Sequence, residues 1–388
     1  MRILFIADGR SPIALNWMGY FTRQGFEIHL ASSYRCEPQL DLASIHFLPT
    51  AFSRMAGASS TRHAGDGEGL IKRIFPTGAR TRIRQWVVPL SLPRAARALN
   101  RIIEAIQPEL LHALRIPYES MLTALAEPHI PFITSVWGND FTLHAPANPL
   151  TRHYTRKVVR RTDALMADCR RDIRLAYRWG FPAKRHSIVL PGGGGIKAEL
   201  FFSPEEPVST PVVVNPRGLR AYVRSDTFFH AIPRVLAQRP GVHFLCPAMS
   251  GEAQAERWVA ELGIEKDVTL LPRMDQKSLG DAFRKSMLVV SPSEHDGSPN
   301  SLLEAMACGC FPVAGDIESL REWIRDGENG LLVDPADPDA LAAAILKALE
   351  DDELRTRAHT QNLQIIGERA EYSAVMAQAE AFYRRIVD

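Results

Sequence analysis

The chain opens without a long apolar stretch. In MRILFIADGR one Arg precedes a short apolar run that breaks at Asp8 and Gly9, too short for the apolar region of a signal peptide or for a membrane span, so a buried first strand is predicted. Charge of one sign is equally scarce. With 46 Lys and Arg against 44 Asp and Glu, the formal net charge of +2 gives no reason to expect nucleic acid as a partner. Cysteine is sparse and odd in number: Cys36, Cys169, Cys246, Cys308 and Cys310 make neither a disulfide framework nor a metal-ligand spacing, which predicts a reducing, cytosolic setting. The strongest breaker cluster, PGGGG from Pro191 to Gly195, is not followed by Lys and Ser or Thr, which excludes a phosphate-loop NTPase. No solenoid repeat is visible.

What remains is a chain of 388 residues with 46% hydrophobic content, too large for one compact core and too apolar for disorder, so two domains are expected. Strand and helix signals alternate. Ile3 to Ala7 is an apolar run, Trp17 to Gln24 has helical spacing closed by Gly25, and Glu27 to Ala31 returns to strand character. The pattern continues through helices at Arg94 to Ile106 and Tyr118 to Ala126 and strands at Glu109 to His112, Pro131 to Val136, Ala164 to Ala167 and Ile188 to Leu190. A parallel sheet covered on both faces follows. Beyond PGGGG the scheme repeats, with strands at Val212 to Val214, His243 to Cys246, Val268 to Leu271, Met287 to Val290, Phe311 to Ala314 and Leu331 to Val333. The expected organisation is α/β, with one Rossmann-like domain over 1–190, a second over 191–369, and a C-terminal helix over 370–388 whose sequence does not say which domain it packs on. Such sheets bind ligands at the carboxyl ends of their strands.

Between Ser53 and Arg97 the alternation weakens. Arg54, Arg62, Lys72, Arg73, Arg80, Arg82, Arg84 and Arg94 surround Phe75, Trp86 and Val87. Two readings stay open for this stretch: a solvated loop with a short helix, and a basic segment that meets an anionic membrane surface or the acceptor.

SPSEHDGSPNSLLEAMACG, Ser291 to Gly309, holds the densest chemistry. A buried strand runs out at Pro292, the chain turns through Asp296, Gly297, Ser298 and Pro299, and a helix begins near Asn300. The free N–H groups and dipole of that helix start, from Ser298 through Asn300 and Ser301 to Leu302, favour an anion such as a diphosphate. Glu304, flanked by apolar neighbours, suits neutral donors such as ribose hydroxyls, and Glu294 or Asp296 reaches a further ligand group; the plainer reading has Glu304 pairing locally.

The run from Ser291 to Val333, SPSEHDGSPNSLLEAMACGCFPVAGDIESLREWIRDGENGLLV, resembles the C-terminal signature of the retaining glycosyltransferases of family 4. In that family two acidic residues separated by seven others bracket a nucleotide-sugar site, a spacing that selects Asp296 and Glu304 and leaves Glu294 out. Asp296 stands where the family usually has Glu. VVVNPRGLRAYVRSDTFFHAIPRVL, Val212 to Leu236, is similar to the segment whose Arg and Lys neutralise the donor diphosphate: Arg217 matches the Arg, Tyr222 and Val223 occupy the window of the missing Lys, and Arg224 is the expected substitute, with a solvated surface Arg as the alternative. Met274, after Arg273, falls on the turn where backbone groups meet the nucleobase. In the N-terminal half the resemblance places Gly9 and Arg10 on a loop facing the ligand cleft, His112 where relatives often carry His, and VWGNDF, Val136 to Phe141, on the family's His-Gly-x-Asp turn with Trp137 in place of His. Trp137 then shapes a sugar subsite while Asn139 or Asp140 binds sugar hydroxyls. No spacing assigns His144 a role.

The resemblance implies a GT-B fold and transfer of a sugar from a nucleoside diphosphate sugar to an acceptor hydroxyl with retention of configuration, without metal or cofactor. It further implies a glycan or lipid-linked acceptor of the cell envelope, and a cytoplasmic protein peripheral on the inner membrane face. The departures at Asp296, Trp137 and the missing Lys keep a catalytically silent nucleotide-sugar-binding subunit open as an alternative, with a nucleotide-sugar epimerase ranked well below it.

Overall fold

The computed structural model describes residues 1–49, 77–220 and 222–388, with side chains from residue 90 onward in the helix that begins at Thr77. Among the basic residues singled out in the sequence, Arg54, Arg62, Lys72 and Arg73 lie outside the described residues, as do the side chains of Arg80, Arg82 and Arg84; Arg94 is exposed. No described helix is long and apolar enough to cross a membrane.

Two compact units divide the chain, one formed by 1–194 with 375–388 and the other by 195–374. The division falls inside the PGGGG cluster, four residues beyond the expected boundary, where Gly194 and Gly195 have φ of 85° and 98°. A Cβ at Gly195 would lie 2.7 Å from the Ala370 carbonyl oxygen, so glycine is required there on two counts.

In the first unit seven parallel strands take the order β3-β2-β1-β4-β5-β6-β7. They are β1 (Arg2–Ala7), β2 (Glu27–Ser32), β3 (Ser44–Phe47), β4 (Leu110–Leu114), β5 (Phe132–Val136), β6 (Ala164–Ala167) and β7 (His186–Val189). Continuous apolar runs make the central strands: every residue of β4, β5 and β6 is buried, as helices on both faces require. The helix Pro12–Arg23 begins with Pro in its first turn and buries Trp17, Met18 and Phe21. The last helix, Tyr372–Val387, contributes Tyr383 to this unit: its ring stacks on Phe21 at 4.6 Å and its hydroxyl bonds His112 Nδ1. His112 Nε2 meets Ser135 Oγ at 2.8 Å, and complete burial pushes the imidazole down to about 3. His112 is therefore a neutral core residue.

The second unit has six parallel strands in the order β10-β9-β8-β11-β12-β13. These are β8 (Val212–Val214), β9 (His243–Cys246), β10 (Val268–Leu270), β11 (Leu288–Ser291), β12 (Phe311–Gly315) and β13 (Leu331–Val333). An apolar cluster including Phe228, Phe229, Phe244 and Leu288 fills one face, and a second including Phe283, Leu302, Leu303 and Met306 fills the other. Both units are thus Rossmann-like, as the alternating pattern predicts. Strand order reverses between β1 and β4 in one sheet and between β8 and β11 in the other, and open α/β sheets take ligands at the carboxyl ends of strands beside such a reversal.

Candidate functional site

In the second unit, Arg217 follows β8 while Asp296, Ser301 and Glu304 follow β11, so the reversal itself gathers them. Asn215 shapes the first turn: its Oδ1 accepts from the Arg217 N–H at 3.2 Å. Arg217 then gives Nη2 to Asp296 Oδ2 and Nη1 to Ser301 Oγ at 3.4 Å. Two donor atoms, Arg217 Nε and Asn215 Nδ2, are buried with no hydrogen-bond partner among the described residues. Such orphans carry a desolvation cost of about 1–3 kcal/mol each unless a ligand or water accepts from them.

The helix Asn300–Ala307 starts beside this guanidinium. Its N-cap is Pro299, which has no side-chain acceptor for the first-turn N–H groups, and Leu302, Leu303, Ala305 and Met306 anchor its apolar faces. Gly297 donates to Asp296 Oδ1 at 3.2 Å, Ser319 Oγ donates to the Asp296 carbonyl at 2.6 Å, and Trp323 Nε1 donates to Ser298 Oγ at 3.0 Å, so the turn before the helix is held at three points. Ser301 and Glu304, three apart, share one helix face. The half-buried Glu304 carboxyl accepts no hydrogen bond from the described residues, and burial pushes it up to about 7 against the pull of Arg217 and Lys197. A carboxyl so poised has acceptor capacity for a ligand's hydroxyls.

Arg224 is placed differently. At the left-handed residue before the helix Ser225–Gln238, it grips Asp226 through Nε and Nη2 at 3.0 and 2.9 Å and reaches Glu294 through Nη1 at 2.5 Å. Its charge is answered by two carboxylates. Met274 is half-buried on the turn after β10, ahead of the helix that Asp275 caps.

In the first unit the equivalent reversal brings together residues after β1, β4 and β5. Arg115, which no sequence pattern singled out, is the hub: its Nε donates to Asp140 Oδ1 at 3.2 Å, and its Nη2 lies 3.0 Å from both Asn139 Oδ1 and His144 Nε2. Asp140 is fully buried, and its Oδ2 accepts from the N–H groups of Ile116 and Trp137, each at 3.1 Å. The expectation that Asp140 binds sugar hydroxyls is therefore corrected, because both its oxygens hold the protein's own turn. Burial raises this carboxyl against the lowering effect of Arg115 and the two amides. Trp137 stays half-buried with the Arg115 guanidinium 5.4 Å from its ring. Gly9 has no room to spare: a Cβ there would lie 2.4 Å from Cys36 Sγ and 2.8 Å from Leu30 Cδ2, so the glycine serves close packing. Arg10 pairs with Asp8 at 3.0 Å and covers the Tyr34 ring at 3.6 Å.

Asp168, Cys169 and Asp172, all buried, keep their ligand atoms within 4.8 Å of one another. Part of the cluster's charge is answered within the protein. Arg171 already supplies the cation, donating to Asp172 at 2.9 Å, and burial pushes the Cys169 thiol well up, holding it protonated.

The family model of glycosyl transferases group 1 matches residues 196–364, and that of a glycosyl transferase 4-like domain matches residues 21–192. Phosphatidyl-myo-inositol mannosyltransferase of Mycolicibacterium smegmatis is 30% identical over 159 residues, 40% of this chain and 40% of that relative, so the alignment spans less than half of the relative's length. Among solved structures, sucrose-phosphate synthase of Thermosynechococcus elongatus gives a TM-score of 0.74 at 15% identity over 100% of this chain and 99% of its own. HepE of Anabaena, in complex with UDP, gives 0.72 at 15% identity over 99% and 100%. With one family model on each unit and the same architecture in both solved structures, the chain belongs to the GT-B glycosyltransferases of the group 1, family 4-like type.

Proposed function

We propose that the protein is a retaining, metal-independent glycosyltransferase that moves a sugar from a nucleoside diphosphate sugar to an acceptor hydroxyl. The observation that carries this reading is the enclosed Arg217 side chain, with its Nε unpartnered among the described residues, beside a helix start whose cap residue Pro299 offers no side-chain acceptor. Diphosphate oxygens take Arg217 and the first-turn N–H groups, and these donors stabilise the charge that develops as the phosphate leaves, each worth about 10²–10³ in rate. Glu304 accepts from ribose hydroxyls, and Asp296 orients the donor sugar. The leaving phosphate oxygen takes the acceptor's proton, which brings the acceptor to the face the phosphate vacates and retains the anomeric configuration. A base at Trp137 is not needed in this scheme. Arg224 acts indirectly, by holding Glu294 and the turn above β11.

The named relative transfers mannose to phosphatidyl-myo-inositol, which supports a lipid-linked or glycan acceptor of the cell envelope here. The basic stretch between Arg54 and Arg94 is the proposed contact with the anionic inner membrane face, each cation contributing about 1 kcal/mol before screening. Liposome co-sedimentation checks this: binding should require anionic lipid and fall with salt, and equal recovery with neutral vesicles favours a soluble acceptor.

Incubation with UDP- and GDP-sugars and candidate acceptors, with product configuration read by NMR in the presence of a chelator, tests the main reading. An α-linked donor should give an α-linked product undiminished by the chelator. Nucleotide binding with no nucleoside diphosphate release for any pair would favour the silent subunit, a reading that the self-neutralised Arg224 motivates.

A further inference from the structure

Arg217 and Asp296 are each assigned to the donor above, yet in the structure they hold one another. The guanidinium side chain is 9% exposed and the carboxylate 13%. A cation this enclosed needs an anion, and among the described residues the carboxylate hydrogen-bonded to it is Asp296, while Glu304 feels its charge without a hydrogen bond. A phosphate grips a guanidinium through two parallel N–H donors, and the Nε and Nη2 edge is one such fork. Here Nε has no partner among the described residues and Nη2 already gives one of its two N–H groups to Asp296. A phosphate seated on that edge competes with the carboxylate for the guanidinium.

We propose that Asp296 is the resting counter-ion of Arg217 and that the donor's diphosphate displaces it, so that its carboxylate turns to the sugar only when the phosphates are seated; this rests on the reading of the site given above. Ser319 Oγ fixes the Asp296 carbonyl at 2.6 Å, so the exchange asks of the side chain only that its carboxylate release Arg217 and the Gly297 N–H and turn about its own bonds. The diphosphate brings more charge and more acceptor oxygens than one carboxylate, including one for the orphaned Nε. Arg224 does not exchange, because Asp226, two residues away, already closes its Nε and Nη2 edge and Glu294 takes Nη1.

Calorimetric titration of UDP and GDP into the full chain tests the exchange. Asp296→Asn removes the competitor for Arg217 and should bind nucleoside diphosphate about tenfold more tightly than wild type while turning over more slowly. Glu294→Gln removes the same charge nearby without freeing Arg217 and should stay within about threefold of wild type. If Asp296→Asn fails to fold, as judged by circular dichroism, Asp296→Ser carries the same expectation. Nucleotide that binds wild type but binds the Asp296 variants no more tightly than Glu294→Gln overturns the exchange and leaves the donor site standing. If neither UDP nor GDP binds wild type or any variant, the site reading falls and the exchange falls with it.

Discussion

The two sheets reverse their strand order in the same way, and each places an arginine at the carboxyl end of a strand beside the reversal, but the two arginines live in opposite circumstances. Arg115 in the first unit is met by a buried carboxylate, an amide oxygen and an imidazole, and it stitches the turn from Trp137 to His144 to the end of β4. Arg217 in the second unit has one carboxylate, one distant hydroxyl and an Nε with no acceptor among the described residues. Similar architecture therefore yields a closed network in one place and an incomplete one in the other. Unfinished hydrogen bonding, more than the presence of charge, marks where a ligand belongs.

Removing each arginine should separate these roles. Arg115→Ala leaves the buried Asp140 without its cation, and the first unit should lose about 3–5 kcal/mol in chemical denaturation. A loss below 1 kcal/mol would mean that the amides of Ile116 and Trp137 suffice. Arg217→Ala should weigh the other way, lowering turnover by about 10²–10³ while costing less stability than Arg115→Ala, because the slightly more exposed Asp296 keeps the Gly297 N–H and some solvent. A destabilised unit with unchanged turnover would exchange the roles of the two residues.

Glu304 sharpens the comparison through pH. Burial raises this carboxyl to about 7 from its ordinary 4.5, so the folded chain keeps a proton that the unfolded chain has lost. Its contribution to stability is full below about 4.5 and disappears as pH rises through about 7, at most about 3 kcal/mol, since the group keeps some contact with solvent. Glu304→Gln should flatten thermal stability across that window. It should also weaken nucleoside diphosphate binding by about 1.5–3 kcal/mol at pH 8, where the carboxylate is the charged acceptor. The wild-type affinity should fall toward the variant's as pH drops below 7, and parallel pH profiles for the two proteins would remove Glu304 from the site. The smallest effect is expected from Glu294→Ala, which unties one end of Arg224 at an exposed pair and should change turnover less than threefold, as surface ion pairs are worth about 0–1 kcal/mol.

Strands were legible where an apolar run is continuous: β8, β9 and β13 fall on the residues expected from sequence. The edge strand β3, with the half-buried sequence SIHF, gives no run and passed unnoticed. The helix Pro149–Arg161 was equally hidden, since it buries Thr151 and Thr155 along with Val158 and Val159 and its apolar stripe is half hydroxyl. The site divides similarly. Spacing within one helix and its preceding turn selects Asp296 and Glu304, and a short interval after a strand selects Arg217. Arg115 lies 24 to 29 residues from Asn139, Asp140 and His144, joined only by strand pairing, so no local pattern announces it. Nor does the sequence show that Arg224, though correctly charged, is already occupied by Asp226 and Glu294.

If a nucleoside diphosphate sits on the incomplete network of the second unit, a crystal structure grown with UDP or GDP will show it there. The expected density has a phosphate oxygen within hydrogen-bond reach of Arg217 Nε, the ribose hydroxyls on Glu304, and the Asp296 carboxylate turned away from the guanidinium. Nucleotide density elsewhere, with Arg217 and Asp296 still paired, would contradict it.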